Sequence, residues 1–268
     1  MGQVDPSEGA AYIAGSHSVY QRQQVLKEIG IVPQFDVLYP ELSVSEHLQM
    51  YAGLKGVTNK DNLEWALYIA KKVALGGELF HRPCKNLSRD MKQRLSIAIA
   101  LLSNPKILFL DEPTTGLDPA MKRSIWEIIE QLQENRCIVL TTHAMDEAEA
   151  LCTRVGIMVQ GRLKCIGTPL QLQKRYGGTF ELVFTQSQSK RDLDDFLNHF
   201  SKSAKCVSSF GQTLVYTIDN THMDLTSLFT MVLQGKDQGL YSEWGISNTL
   251  LEEVLCAVLA ESEDVFES

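Results

Sequence analysis

Residues 107–119 read Ile-Leu-Phe-Leu-Asp-Glu-Pro-Thr-Thr-Gly-Leu-Asp-Pro. Four consecutive apolar residues, stopped by Pro and Gly, predict a buried parallel strand. A strand covered on both faces has no inexpensive place for charge along its length, so the acids fall at its carboxyl end. That is the edge at which open α/β sheets bind ligands. Asp111 and Glu112 in that position suit hydrolysis of a magnesium nucleotide. Asp111 would hold Mg²⁺ through water, and Glu112 would orient or deprotonate the attacking water. A strand that simply ends in a polar turn is the plainer alternative.

Two further segments sharpen the choice. Residues 29–32 form a short strand pattern that ends at Pro33-Gln34, and 137–140 form another that ends at Thr141-Thr142-His143. A histidine at the end of a strand parallel to that of Asp111 would share its rim and could reach a terminal phosphate. A net charge of −8 argues against nucleic acid as the partner, because phosphate-backbone binding wants clustered Lys and Arg. Six cysteines occur without a Cys-x-x-Cys pair, which suits free thiols in a reducing compartment rather than a disulfide framework or zinc site. No signal peptide opens the chain, and no stretch approaches the ~18 apolar residues of a membrane span. A membrane role would therefore need a partner or another part of the polypeptide.

Residues 107–119 resemble the Walker B and D-loop of ATP-binding cassette (ABC) proteins. Thr141-Thr142-His143 resembles their switch histidine, and Val32-Pro33-Gln34 their Q-loop. The motifs follow the family's order and approximate spacing over residues ~9 to ~180. Residues 156–169, Gly-Ile-Met-Val-Gln-Gly-Arg-Leu-Lys-Cys-Ile-Gly-Thr-Pro, resemble the A subfamily, whose members are membrane transporters, often of lipids.

The resemblance implies roles for other residues. Gln34 would reach Mg²⁺ and the attacking water, and His143 the γ-phosphate. Residues 86–95, Asn-Leu-Ser-Arg-Asp-Met-Lys-Gln-Arg-Leu, stand where the signature motif would lie. There Ser88 would serve a nucleotide held by the opposing subunit, but Arg89 and Asp90 replace the motif's two glycines. A carboxylate at Asp90 near an anion would repel it by up to about 4 kcal/mol at ~4 Å and an effective dielectric of ~20. Ser88 as a mere helix cap is the alternative. Asp118-Pro119 offers an N-cap and a first-turn proline. The resemblance adds a D-loop role for Asp118, in communication between subunits. The phosphate-binding Gly-x-x-x-x-Gly-Lys-Ser/Thr is absent from the 268 residues, and Gly235-Lys236 is followed by Asp. The chain is thus expected to begin just after that loop.

The expected fold is α/β, a P-loop-type parallel sheet, truncated at its N-terminus, with a helical subdomain at about 42–103. Ser43 to Glu46 fits a capping box that opens this subdomain, and a second helix spans 63–75. A hairpin turns at Gln160-Gly161, and a helix that starts at Thr168-Pro169 stops at Gly177-Gly178. We place the cassette at 1–178 and a regulatory-like, ferredoxin-like α+β module at 179–268, ending in a short disordered tail. In that module strands are expected at 179–184, 214–218 and 240–245, with one more near 206–210. By resemblance the chain would bind ATP and Mg²⁺ and pair head to tail with a second nucleotide-binding domain. It would then drive transmembrane domains from the cytoplasmic face of a membrane. A non-hydrolytic regulatory fragment and a soluble ABC ATPase acting on nucleic acid or ribosomes are the rival readings.

Overall fold

The computed structural model describes residues 6–35, 37–57, 62–176, 179–186, 190–201, 203–219, 225–248 and 251–263. The Gly177-Gly178 helix stop and the 264–268 tail lie outside them. The chain divides into two compact units, Met1–Glu147 and Ala148–Ser268.

The first unit opens with a two-residue hairpin, β1 (Tyr12–Ile13) and β2 (Ser16–His17), and a short helix, α1 (Arg22–Glu28). A seven-residue helix with Val25 as its buried side chain leaves no apolar stripe to detect. Next come β3 (Ile29–Val32), α2 (Val44–Leu54), α3 (Asn62–Lys72) and α4 (Arg89–Leu101). They are followed by β4 (Ile107–Asp111), α5 (Pro119–Leu132), β5 (Cys137–Thr141) and α6 (Met145–Leu151). Helices α2, α3 and α4 pack on one another and form the helical subdomain. The capping box forms: Ser43 Oγ accepts from the Glu46 amide at 3.3 Å, and Glu46 Oε2 accepts from the Ser43 amide at 2.7 Å.

Strands β3, β4 and β5 make a parallel sheet in the order β3-β4-β5. Val32 pairs with Leu110, and Asp111 with Thr141. The three strands run the same way, so Gln34, the acid pair and His143 follow strand ends on one edge. Along β4, Leu108 and Leu110 are buried, whereas Ile107 and Phe109 are half-covered. Strand β5 is only partly buried. It lies at one edge of the sheet, and its residues alternate between exposed and half-buried. Leu95, Ile97 and Leu101 of α4, with Ile125 and Ile129 of α5, complete this core.

The second unit begins within α6 and continues into an antiparallel hairpin, β6 (Val155–Val159) and β7 (Arg162–Gly167). Gln160 and Gly161 both adopt positive φ, +48° and +76°, as the tightest hairpin turns require. After α7 (Pro169–Tyr176) come β8 (Thr179–Gln186), α8 (Lys190–Phe200), β9 (Lys205–Phe210) and β10 (Thr213–Asp219). The chain ends with α9 (Leu225–Asp237), β11 (Tyr241–Asn248) and α10 (Leu251–Glu263). The β8–β11 sheet is antiparallel in the order β11-β8-β10-β9, and its element order from β8 to β11 is βαββαβ, the ferredoxin-like arrangement. Leu182, Phe184, Leu214 and Tyr216 meet Leu193, Leu197 and Val232 in its core. Helix α7 and the 155–167 hairpin pack against α10, so compactness divides the chain near 147, although the element pattern changes near 178.

Candidate functional site

The carboxyl edge of the parallel sheet holds the acid pair through a string of hydrogen bonds. Thr141 Oγ1, in register with Asp111, donates to the Asp111 carboxylate. The Glu112 amide donates to both the carbonyl and the hydroxyl of Thr141, at 3.0 and 3.2 Å. Glu112 has φ +49°, a left-handed backbone rarely adopted by a non-glycine residue. Such a conformation costs on the order of 1 kcal/mol and persists only where neighbours over-determine it. Thr141 from below is one constraint. The others are Thr115, whose amide donates to the Glu112 carbonyl and whose hydroxyl donates to Glu112 Oε2 at 2.7 Å.

Glu112 Oε2 also meets His143 Nδ1 at 2.7 Å. The Glu112 side chain is 19% exposed and that of His143 73%. A half-covered carboxylate, fixed by a hydroxyl and an imidazole at the mouth of a parallel sheet, has the equipment to accept a proton from water. Gly116, at φ +74°, closes the turn after the acids.

A cavity of about 140 Å³ opens beside Glu112, lined by Gln34, Arg89, Gln93 and Thr115 among others. Gln34 and Glu112 thus share one pocket, while Asp111, Ser88, Asp118 and His143 are not part of its wall. The guanidinium of Arg89 lies over Gly116, where a Cβ would stand 2.6 Å from its nitrogens. Asp90 behaves otherwise than the repulsion argument expected. It is buried, takes the hydroxyl hydrogen of Ser88, and pairs with Arg94 at 3.1 Å. Its carboxylate is drawn into the unit by that cation, so it presents no charge to the pocket. Ser88 sits at the N-cap of α4 but donates to Asp90 instead of accepting from the helix. Asp118 is a cap in the full sense, with one oxygen accepting from the Ala120 and Met121 amides, each at 3.0 Å.

Sequence reasoning missed the support given by Thr141 and Thr115, and it assigned no work to Gln93. The detectable signal was Thr141's place at the end of a strand expected to run parallel to that of Asp111. An oxygen-rich rim with one exposed carboxylate, Asp111, suits Mg²⁺, which takes one or two carboxylates plus the oxygens of its phosphate ligand. Among the described residues no cluster of three or more His, Cys, Asp or Glu could hold a metal by itself.

Comparison with known proteins gives this arrangement its setting. The family model described as ABC transporter matches residues 1–115. ABC transporter A family member 5 of Arabidopsis thaliana is 37% identical over 269 residues, covering 99% of this chain and 29% of the relative. The chain belongs to the ABC transporter family. ABC transporter A family member 12 of the same plant is 36% identical over 96% of this chain and 28% of its own length. The chain therefore spans under a third of the length of these A family relatives. Among solved structures, an ATP-binding subunit of an ABC transporter superposes with a TM-score of 0.56 at 28% identity, covering 66% of this chain and 73% of that one. A dimeric ATP-binding cassette in a post-hydrolysis state, bound to ADP and Pi, gives 0.54 at 25% identity, covering 62% and 75%. The α/β fold with a parallel sheet and helices is that of ABC ATPase cassettes.

Proposed function

We propose that this chain is the nucleotide-binding part of an A family ABC transporter, with residues 1–178 as the cassette and 179–268 as a regulatory module. The reading is carried by the carboxylate of Glu112, bonded to His143 across the ends of two adjacent parallel strands. Asp111 and Gln34 would hold Mg²⁺ with the nucleotide phosphates, and the ion would supply charge neutralisation at the phosphate oxygens. Glu112 takes the proton of the attacking water, and His143, hydrogen-bonded to it, steadies the carboxylate and faces the terminal phosphate. Ser88 and Asp118 serve the interface with a second nucleotide-binding domain arranged head to tail. The work is delivered to transmembrane domains at the cytoplasmic face of a membrane, with lipids as the cargo class suggested by the A family likeness. No described helix is long and apolar enough to cross a membrane.

The 268 residues contain no Gly-x-x-x-x-Gly-Lys-Ser/Thr, so the chain alone is expected to show negligible ATPase. Turnover that disappears in Glu112→Gln would overturn that expectation. The wider reading is tested by grafting the phosphate-loop segment of an ABC cassette ahead of residue 1 and measuring phosphate release. Turnover that needs Glu112 and His143 supports it. Turnover indifferent to Glu112→Gln refutes the assigned chemistry.

A second reading rests on Arg89 and Asp90 in place of the signature glycines. In it the chain binds and regulates a transporter without using ATP. A rise in melting temperature with MgATP would count against this alternative.

A further inference from the structure

Glu147 is a fully buried acid, 1% exposed. Its Oε1 accepts from Thr114 Oγ1 at 2.8 Å and from Trp126 Nε1 at 3.1 Å. Its Oε2 is buried without a hydrogen-bond partner among the described residues. A buried carboxylate satisfied on one oxygen by two neutral donors is a costly way to fill space, since an apolar side chain would pack there at lower desolvation cost. Such a group calls for an explanation beyond packing.

Its position supplies one. Thr114, itself 2% exposed, follows Glu112 by two residues within the same tight turn. Glu147 follows His143 by four residues and lies in the first turn of α6. Trp126 stands on α5, the third element to meet this oxygen. One carboxylate oxygen therefore ties the turn that carries Glu112 to the segment that carries His143. The His143 side chain is 73% exposed, so packing does little to fix it opposite Glu112.

We propose that Glu147 is a positioning residue that sets His143 against Glu112, acting through Thr114 and the short tether to α6. The functional meaning of this role rests on the reading above, but the contact itself involves no nucleotide.

The test uses ¹⁵N-histidine NMR of the 268-residue chain without nucleotide. Glu112→Ala supplies the reference resonance for a His143 Nδ1 that has lost its partner. Glu147→Ala is expected to move that resonance most of the way to the reference. Glu147→Gln, which retains an acceptor oxygen, should stay close to the parent. If Glu147→Ala does not fold, Thr114→Val removes one donor with little change of shape and should give a partial shift in the same direction. The proposal is overturned if the Trp126 indole resonance reports loss of its hydrogen bond in Glu147→Ala while His143 stays at its parent position. It also falls if His143 ignores Thr114→Val, or if Glu112→Ala itself leaves His143 unmoved. Failure of the ATP reading would change none of these spectra.

Discussion

Two glycine-to-alanine substitutions in the first unit should shift stability in opposite directions. A Cβ on Gly30 in β3 would lie 2.6 Å from the Ala100 carbonyl oxygen, 2.9 Å from Leu108 Cδ1 and 3.0 Å from Pro105 Cγ. The first neighbour is backbone of α4 and cannot rotate away, so helix and strand must separate. Overpacking of this kind costs up to about 3 kcal/mol, and the lower chain entropy of alanine returns about 0.5–1 kcal/mol. Gly30→Ala should then destabilise by roughly 2 kcal/mol, or about 4–8 °C in Tm for a unit of this size. A Cβ on Gly53, in α2, meets nothing within 4 Å. Gly53→Ala should stabilise by about 0.5–1 kcal/mol. Thermal or urea unfolding reports both, followed through Trp65 and Trp126 in a Trp244→Phe background. A neutral or stabilising Gly30→Ala would refute the view that α4 is seated on β3 through the missing side chain.

The Lys55 ammonium donates to the Ile99 and Ala100 carbonyls at 3.0 and 3.3 Å, and burial there pulls its pKa down to about 8. The folded chain holds this proton less tightly than the unfolded chain. The destabilising contribution is thus fully present below about pH 8 and relieved as pH rises toward the ordinary 10.5. After reductive methylation, one dimethyl-lysine resonance should titrate near 8, and none doing so would contradict the burial. The amide of Ser43 holds the Glu46 carboxyl below its ordinary pKa, so the cap of α2 contributes above the usual carboxylate range and weakens as pH falls through the lowered value. Glu46→Gln should remove that acid-side loss from a urea-midpoint versus pH profile. Asp118→Ala should cost about 1 kcal/mol through loss of the α5 cap, while Asp118→Asn should cost little. Equal losses would show that the Asp118 charge, not its capping oxygen, stabilises the unit.

Much of this fold is legible because local chemistry and tertiary structure agree. The Ser43–Glu46 box, the Asp118-Pro119 start of α5 and the Gln160-Gly161 turn each do what the residue types dictate. Strand β9 was faintly visible, and the reason is physical. All six of its residues are exposed at the sheet edge, so it carries no alternation of apolar and polar positions. Asp90 shows the limit of arguing charge from position alone. A carboxylate beside Ser88 and one turn before Arg94 finds partners inside its own helix, and the nearest cation decides where it points. Glu147 was passed over because an acid in the first turn of a helix already suits the helix dipole. That explanation is sufficient for an exposed acid, but it says nothing about why one should be buried against Thr114 and Trp126.

The charge balance at the sheet edge narrows where a phosphate could sit. Asp111 and Glu112 are adjacent acids, and an anion placed about 4 Å from either would meet repulsion of roughly 4 kcal/mol at an effective dielectric near 20. The described wall of the pocket offers one cation, Arg89, against one carboxylate, Glu112. With Asp90 turned inward to Arg94, Arg89 keeps its charge for the pocket. His143 Nδ1 meets the Glu112 carboxylate at 2.7 Å. One permanent cation, Arg89, thus stands against two acids, so on the proposed reading a triphosphate would need a divalent metal and further positive groups to be held there. On that reading, the acid pair would serve less to attract a nucleotide than to act on a water beside one that other charges retain.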